Sequence, residues 1–215
     1  MSTADLADVE AVVRTIATVA VDNEKYFGEL DAVVGDGDFG YSMARGFELV
    51  LSGWDDFDRT DIGTFLKKIA VVITSRIGGT SGPIWGTAFL RAGVTAGTAD
   101  QLEPAQVIAM LRAAIEGIKA RGKSDVGDKT LLDALVPAVD VIEEQVGAGQ
   151  DAASPLRAAA VDAGHARPGR LHRRAQRRHP GRGCHCGRRH VRGARRPVGK
   201  AQDRILSRDP SRSVP

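Results

Sequence analysis

The sequence predicts an all-α fold, in which amphipathic helices pack as a bundle and are joined by short loops. Apolar residues recur every three or four positions through most of residues 6–142, which is the period of a helix buried on one face. No segment shows the alternating apolar and polar pattern, bounded by turn residues, that predicts a strand. Short polar segments separate the periodic stretches, as in bundles whose neighbouring helices are antiparallel.

The first three helices are predicted from their apolar stripes. The first covers about residues 6–26, where aliphatic side chains from Leu6 to Val19 share one face. The second starts near Gly40 and directs Met43 and Phe47 inward. The third covers about residues 62–77, where apolar residues again follow helical spacing.

Start and stop signals define the remaining helices. Residues 78–83 interrupt the third helix, and their Ser-Gly-Pro sequence favours a new start, so a fourth helix is predicted to about residue 94. A fifth helix begins at Pro104. A polar segment at residues 121–129 precedes a sixth helix through residues 131–142, and a short seventh helix is predicted between residues 152 and 163.

Length and hydropathy favour one domain of a cytoplasmic protein. A chain of 215 residues can bury a substantial core. No apolar run reaches the ~20 residues that a membrane span needs. The acidic N-terminus lacks the basic and apolar regions of a secretory signal. We therefore expect no membrane association.

Charge divides the chain into two parts. Residues 1–164 hold 14 basic and 25 acidic residues, a net charge of −11, whereas residues 165–215 hold 16 and 2, a net charge of +14. We predict a helical domain over residues 1–164 and a disordered, basic, low-complexity tail over residues 165–215. The tail contains all five histidines and both cysteines. It is open to three interpretations: a nucleic-acid arm, a metal-binding tract or, the one we favour, translation of GC-rich DNA out of frame.

Three aspartates, Asp31, Asp36 and Asp38, lie close together between the first two predicted helices. Carboxylates at this spacing repel one another, and a hard cation such as Mg²⁺ removes the repulsion. The glycines between them let the backbone turn sharply. Two such ions could neutralise the phosphate oxygens of a nucleotide during phosphoryl transfer. The segment therefore predicts a magnesium-dependent nucleotide-phosphate site, which makes the helical domain of residues 1–164 a predicted nucleotide-binding domain.

Two alternatives for the aspartates stay open at this point. Asp38 could simply cap the next helix, although one cap explains one aspartate and not three. A calcium loop is the other alternative. Counted from Asp36, however, the twelfth residue is Phe47, where an EF-hand has a bidentate glutamate.

Two further segments are candidates for phosphate binding. Residues 78–83 offer free backbone N–H groups at a helix start, and Thr80 and Ser81 add hydroxyl donors for an anion. A plain helix–helix turn with a serine cap is the alternative. Residues 117–124 formally satisfy the Walker A pattern, but helical periodicity precedes them and no parallel sheet is predicted, so we interpret that match as coincidental.

Taken together, residues 30–43, 77–86 and 122–134 resemble the ADP-binding L subunit of dihydroxyacetone kinase. The resemblance follows the order of the family's motifs and extends over about residues 5–163. It implies an all-helical barrel of eight antiparallel helices with the nucleotide at one end. It also implies phosphoryl transfer to dihydroxyacetone or a similar short ketose, a reaction of glycerol metabolism.

The resemblance further implies ligands and partners. Two Mg²⁺ ions would be held by Asp31, Asp36 and Asp38, while Asp128 and Lys129 would only shape the pocket. A separate K subunit would hold the ketose, and in some relatives a phosphohistidine protein of the phosphotransferase system rephosphorylates bound ADP. No residue of this chain would react covalently. Contacts to ADP or ATP would come from Phe39, Gly40, Tyr41, Ser42, Thr80, Ser81, Gly122 and Leu131.

The sequence departs from the family in two places. Phe39 stands where the family often has histidine, so a polar side-chain contact is lost. The family's closing segment is replaced after about residue 164, so we expect the C-terminal helices to be missing or scrambled and nucleotide binding and activity to be weakened. The rival hypothesis is a non-catalytic ADP-binding regulatory protein, or a protein whose tail binds nucleic acid, a partner we do not favour. A homodimer stays open.

Overall fold

The computed structural model describes residues 3–149, which form seven α-helices. In chain order these are α1 (Leu6–Asp22), α2 (Glu24–Asp31), α3 (Phe39–Ser52), α4 (Ile62–Arg76), α5 (Ser81–Ala96), α6 (Pro104–Gly122) and α7 (Leu132–Gly147). The prediction of an all-α fold is confirmed. Within residues 3–149, no helix is long and apolar enough to cross a membrane. The predicted helix at residues 152–163 and the tail at residues 165–215 lie outside the described residues.

Helices that follow one another in the chain pack against one another. The most extensive contacts join α4 to α5 and α5 to α6, while α7 packs on α6, and α1 and α2 both pack on α3. Phe47, Phe65 and Ile69 are fully buried where α3 and α4 contribute to the main core. A second apolar cluster joins α6 to α7 through Ile118 and Leu132. Apolar side chains of α1, α5, α6 and α7 also line a cavity of about 190 Å³.

The helix starts fall into two groups. In the first group a side chain caps the helix: Asp5 accepts a hydrogen bond from the Asp8 N–H at the start of α1, and Asp61 accepts one from the Thr64 N–H at the start of α4. A capping box and Pro104 start α6. In the second group, α2, α3, α5 and α7 begin with no side-chain cap hydrogen bond. Of these, the first N–H groups of α5 are available to other partners, whereas the first N–H of α3 and that of α7 each bond to a nearby side chain.

The first predicted helix is two helices in the structure, and the break falls at Asn23. This side chain is buried, and its Nδ2 donates a hydrogen bond to the carbonyl oxygen of Val19 at 2.9 Å. Asparagine competes in this way with the hydrogen bonds that would continue a helix. The apolar stripe alone could not show the break, because α2 begins one residue later, at Glu24.

The prediction that strands are unlikely is wrong in one detail. Ala4–Asp5 pairs with Gln101–Leu102 as a two-residue antiparallel ladder. Two residues are too few to show an alternating pattern, so periodicity could not reveal this pair. The pair holds the start of α1 beside the start of α6.

Candidate functional site

The three predicted metal ligands converge at the end of α2. Asp31 is the last residue of α2, Asp36 lies in the following loop, and Asp38 precedes α3. One carboxylate oxygen from each lies within 4.8 Å of the other two. Asp31 is half-buried, whereas Asp36 and Asp38 are exposed. The structure therefore brings together the hard oxygen donors that a divalent cation requires.

Asp31 also organises the loop that it begins. Its Oδ2 accepts hydrogen bonds from the Gly37 N–H at 2.9 Å and the Phe39 N–H at 3.3 Å. The Asp36 Oδ1 accepts one from the Asp38 N–H at 3.3 Å. These bonds hold the Asp31 and Asp36 carboxylates in place before any ligand binds.

Two glycines are required where the backbone comes close to other groups. A Cβ on Gly35 would lie 2.5 Å from the Asp31 Oδ1, and a Cβ on Gly40 would lie 1.9 Å from the Glu24 carbonyl oxygen. Gly40 thus lets the first turn of α3 pack directly on α2, which sets Asp38 beside Asp31.

The electrostatics of the loop agree with its geometry. The neighbouring Asp36 carboxylate raises the pKa of Asp38, with smaller contributions from desolvation and from Asp31. The ionised form of Asp38 is therefore disfavoured, and a bound cation would relieve this repulsion.

The structure disfavours both alternatives for the aspartates. Asp38 makes no side-chain cap hydrogen bond at the start of α3. Phe47 lies fully buried inside α3 and cannot occupy a ligand position of a calcium loop. The Walker A match also fails, because residues 117–122 lie inside α6 and not in a loop that joins a strand to a helix.

The second candidate segment lies next to the first. Thr80 precedes α5 without capping it, and Ser81 is the first residue of that helix. A Cβ on Gly78 would lie 3.6 Å from the Ser42 Oγ, so the start of α5 adjoins the first turn of α3. The free N–H groups of α5 and the aspartate loop therefore border the same region.

A cleft of about 600 Å³ connects the second and third segments. Thr80 of the second segment and Gly122 and Leu131 of the third all line it. Its apolar wall consists of Pro83, Ile84, Ile118 and Leu131. Its polar lining includes three residues that the sequence analysis did not single out, Arg121, Ser124 and Thr130. Ile118, Arg121 and Gly122 are spaced at three and four residues along α6, a signal that could have identified Arg121.

The loop from α6 to α7 is held by carboxylates. The Asp133 carboxylate accepts hydrogen bonds from the Gly127 N–H at 2.7 Å and the Thr130 N–H at 2.8 Å, and these bonds lower the pKa of Asp133. Asp125 pairs with Lys119 at 2.9 Å, which lowers the pKa of Asp125. Asp128 accepts from the Asp125 N–H, in keeping with a shaping role.

Two of the predicted nucleotide contacts point elsewhere. The Phe39 ring packs against Phe27, with the ring centroids 6.2 Å apart, so Phe39 offers the site only its backbone. Tyr41 is exposed and borders a different hollow, of about 550 Å³, together with Lys25, Gly28 and Gly37.

The fold and the site thus define an all-helical protein with a triad of carboxylates beside a polar cleft. The family model described as the DAK2 domain matches residues 33–168. This chain belongs to that family.

Relatives with curated functions support the same assignment. The chain is 30% identical over 159 residues to the ADP-binding subunit DhaL of PEP-dependent dihydroxyacetone kinase 2 of Listeria innocua, a match covering 72% of each protein. It is 36% identical over 120 residues to the ADP-binding subunit DhaL of the PEP-dependent dihydroxyacetone kinase of Escherichia coli, covering 56% of this chain and 57% of that protein. Across three such relatives of 32–37% identity, the match spans only 56–62% of the relative's length.

A solved structure shares the fold. The dihydroxyacetone kinase of C. freundii, in complex with AMP-PNP and Mg²⁺, is similar to this chain with a TM-score of 0.57 and 25% identity. The similarity covers 76% of this chain and 30% of that one.

Proposed function

We propose that this chain is the nucleotide-binding subunit of a dihydroxyacetone-type kinase. It would present a magnesium-bound nucleotide to a short ketose held on a partner K subunit, in the cytoplasm. The observation that supports this proposal most strongly is the convergence of the carboxylate triad, the start of α5 and the α6–α7 cleft in a member of the DAK2 family.

The aspartate loop suits magnesium. Asp31, Asp36 and Asp38 would hold up to two ions, because their oxygens lie close enough to share them and because their repulsion needs a counter-charge. Bound magnesium supplies charge neutralisation on the transferring phosphoryl group. In this proposal Asp31 has a second task, since its hydrogen bonds to Gly37 and Phe39 keep the other two carboxylates in place.

The cleft suits the rest of a nucleotide. Its apolar wall offers a surface for the base, and Thr80, Ser124 and Thr130 offer hydroxyl groups for the sugar and phosphates. Arg121 is the single charged side chain among the described residues that line this cleft, and it would contact a phosphate. The uncapped start of α5 adds backbone N–H donors.

Catalysis by this chain would consist of positioning and charge stabilisation. Neither positioning nor charge stabilisation requires a nucleophile on this chain, because the attacking hydroxyl belongs to a ketose held on another protein. The donor is either ATP exchanging from solution or ADP rephosphorylated in place by a phosphohistidine protein.

A coupled assay tests the proposal. The full chain is mixed with Mg²⁺, ATP and a K subunit loaded with dihydroxyacetone, and formation of dihydroxyacetone phosphate is followed. We expect product only when both proteins are present, and formation slower by about 100-fold or more with the D36N/D38N variant. A parallel reaction replaces ATP with ADP and a phosphohistidine protein to identify the donor.

Two results would contradict the proposal. Magnesium-dependent ADP binding without transfer in either reaction would favour the non-catalytic regulatory alternative. Salt-dependent DNA binding that is lost on removing residues 165–215, without ADP binding, would favour a nucleic-acid function instead.

A further inference from the structure

Three aliphatic residues lie next to the predicted metal ligands in the sequence, and their side chains are exposed to solvent. Leu30 is 51% exposed, Val33 is 78% exposed and Val34 is 92% exposed. We call these three residues the aliphatic tip. They occupy the end of α2 and the turn that follows it, between Asp31 and Asp36 or directly beside them.

Local folding does not explain why these positions are apolar. The turn is closed by backbone bonds, in which the Val33 N–H donates to the Leu30 carbonyl at 3.3 Å and the Val34 N–H donates to the Asp31 carbonyl at 3.0 Å. Any polar residue could make the same bonds. Valine at near-complete exposure gives up the favourable burial that its side chain would gain elsewhere.

The metal site beside the tip needs a cover. Asp36 and Asp38 are exposed, so residues 3–149 leave the triad open to water. Phosphoryl transfer to a sugar hydroxyl has to exclude water, which would otherwise compete as the acceptor. The acceptor itself must also arrive within reach of the triad.

Charge and position together indicate which surface would provide the cover. Residues 22–38 contain six carboxylates and one lysine, Lys25, which is paired with Glu29. Without metal, a second copy of this chain would present the same acidic surface and be repelled, as would an anionic membrane. Bound Mg²⁺ would offset the charge of the triad, so position decides in the loaded state, because the protein that carries the acceptor has to approach the surface beside the triad.

We infer that the aliphatic tip is the anchor through which the acceptor-carrying partner docks over the metal site. The partner surface would have an apolar hollow for Leu30, Val33 and Val34. This inference rests on the proposed function and assigns its docking surface. Few residues dominate the binding energy of an interface, and a central apolar anchor surrounded by charge is a typical arrangement.

The experiment compares two double variants of the full chain. V33S/V34S removes the apolar character of the tip. V71S/V94S is the matched control, because Val71 and Val94 are 66% and 59% exposed on α4 and α5, and Val94 lies thirteen residues beyond the start of α5, about 20 Å along the helix. The readouts are the melting temperature, the Kd for ADP with Mg²⁺, and the KM and kcat for a K subunit loaded with dihydroxyacetone.

We expect V33S/V34S to raise the KM for the loaded K subunit by about tenfold or more, with kcat at saturation, ADP affinity and melting temperature retained. V71S/V94S should match the wild type in every measurement. A wild-type KM for V33S/V34S would overturn the inference while leaving the proposed function intact. Loss of ADP affinity in V33S/V34S would also overturn it, because the tip would then serve the metal loop itself.

Two other binding partners of the aliphatic tip, a second copy of this chain and a membrane, would give different results. If sedimentation shows that the wild-type chain is a dimer and V33S/V34S a monomer, the tip binds a second copy and the inference is wrong. If the wild-type chain, but not V33S/V34S, sediments with phosphatidylglycerol vesicles, the tip binds membrane and the inference is again wrong. If the wild-type chain transfers no phosphoryl group with the K subunit, the proposed function is wrong. The inference rests on that function and is then wrong as well.

Discussion

The aspartate loop and the nucleotide cleft are two halves of one candidate site, but they are built differently. The loop is contiguous in sequence, and its carboxylates are fixed by hydrogen bonds from Gly37, Asp38 and Phe39 within the same segment. The cleft gathers the start of α5, the end of α6 and the loop before α7, so its shape depends on how helices pack.

This difference separates local effects from global ones. Substitutions of loop carboxylates should change metal and phosphate chemistry with little effect on stability, because the side chains are largely exposed. Substitutions where helices approach each other should change stability, and substitutions in the cleft lining should change nucleotide affinity alone. The predictions below use these distinctions, in order of expected effect.

The largest effect is expected from D36N/D38N in the aspartate loop. Removing two of the three anionic ligands should lower the rate of phosphoryl transfer by about 100-fold or more. The melting temperature should not fall, since the repulsion that raises the pKa of Asp38 is removed as well. Initial rates and a thermal melt check both parts. If this variant transferred phosphoryl groups at the wild-type rate, the aspartate loop would not be part of the functional site.

A large effect on stability is expected where α3 approaches α2. Gly40→Ala forces a methyl group into the Glu24 carbonyl oxygen and should lower the free energy of unfolding by about 1–3 kcal/mol. Gly147→Ala is the control, because a Cβ there meets nothing within 4 Å and its change should stay within about 0.5 kcal/mol. Urea titrations of both variants measure the difference. Equal stabilities would mean that the close approach of α3 to α2 at Gly40 does not determine the position of the aspartate loop.

An intermediate effect is expected from Arg121→Gln in the cleft. If the guanidinium contacts a phosphate, affinity for ADP should fall about tenfold while affinity for adenosine stays unchanged. Arg91→Gln, on α5 and outside the cleft lining, should leave both affinities unchanged. Calorimetric titrations with the two ligands distinguish the cases. If Arg121→Gln lost affinity for ADP and adenosine equally, Arg121 would contact the base or maintain the shape of the cleft, and would not contact a phosphate.

The smallest effect is expected from Asp133→Asn, which weakens the acceptor for the Gly127 and Thr130 N–H groups. ADP affinity should fall about twofold to fivefold at neutral pH, because the cleft loop loses charge-assisted bonds. The pKa of Asp133 is lowered in the folded chain, so its contribution is present at neutral pH and is lost as the pH falls through that lowered pKa. Stability curves of wild type and variant should therefore converge in acid. A constant difference at all pH values would contradict this role.

The two halves also differ in how far the sequence could predict them. Five helices were located within a few residues from their apolar period, and the aspartate triad was predicted from its local spacing because its geometry is local. The break at Asn23 was missed, since one asparagine in an apolar stripe carries no distinct signal. Ser124 and Thr130 were missed because only the packing of α5, α6 and the loop before α7 brings them into one cleft, whereas Arg121 was missed although it shares helical spacing with Ile118.

The most direct test of the account is whether the two halves act as one site. Titration of the full chain with ADP, in the presence and absence of Mg²⁺, measures this in wild type, D36N/D38N and Arg121→Gln. We predict that Mg²⁺ strengthens ADP binding in wild type and in Arg121→Gln, and that this gain vanishes in D36N/D38N. Binding of ADP that is equally strong without Mg²⁺, or a gain that persists in D36N/D38N, would contradict the account.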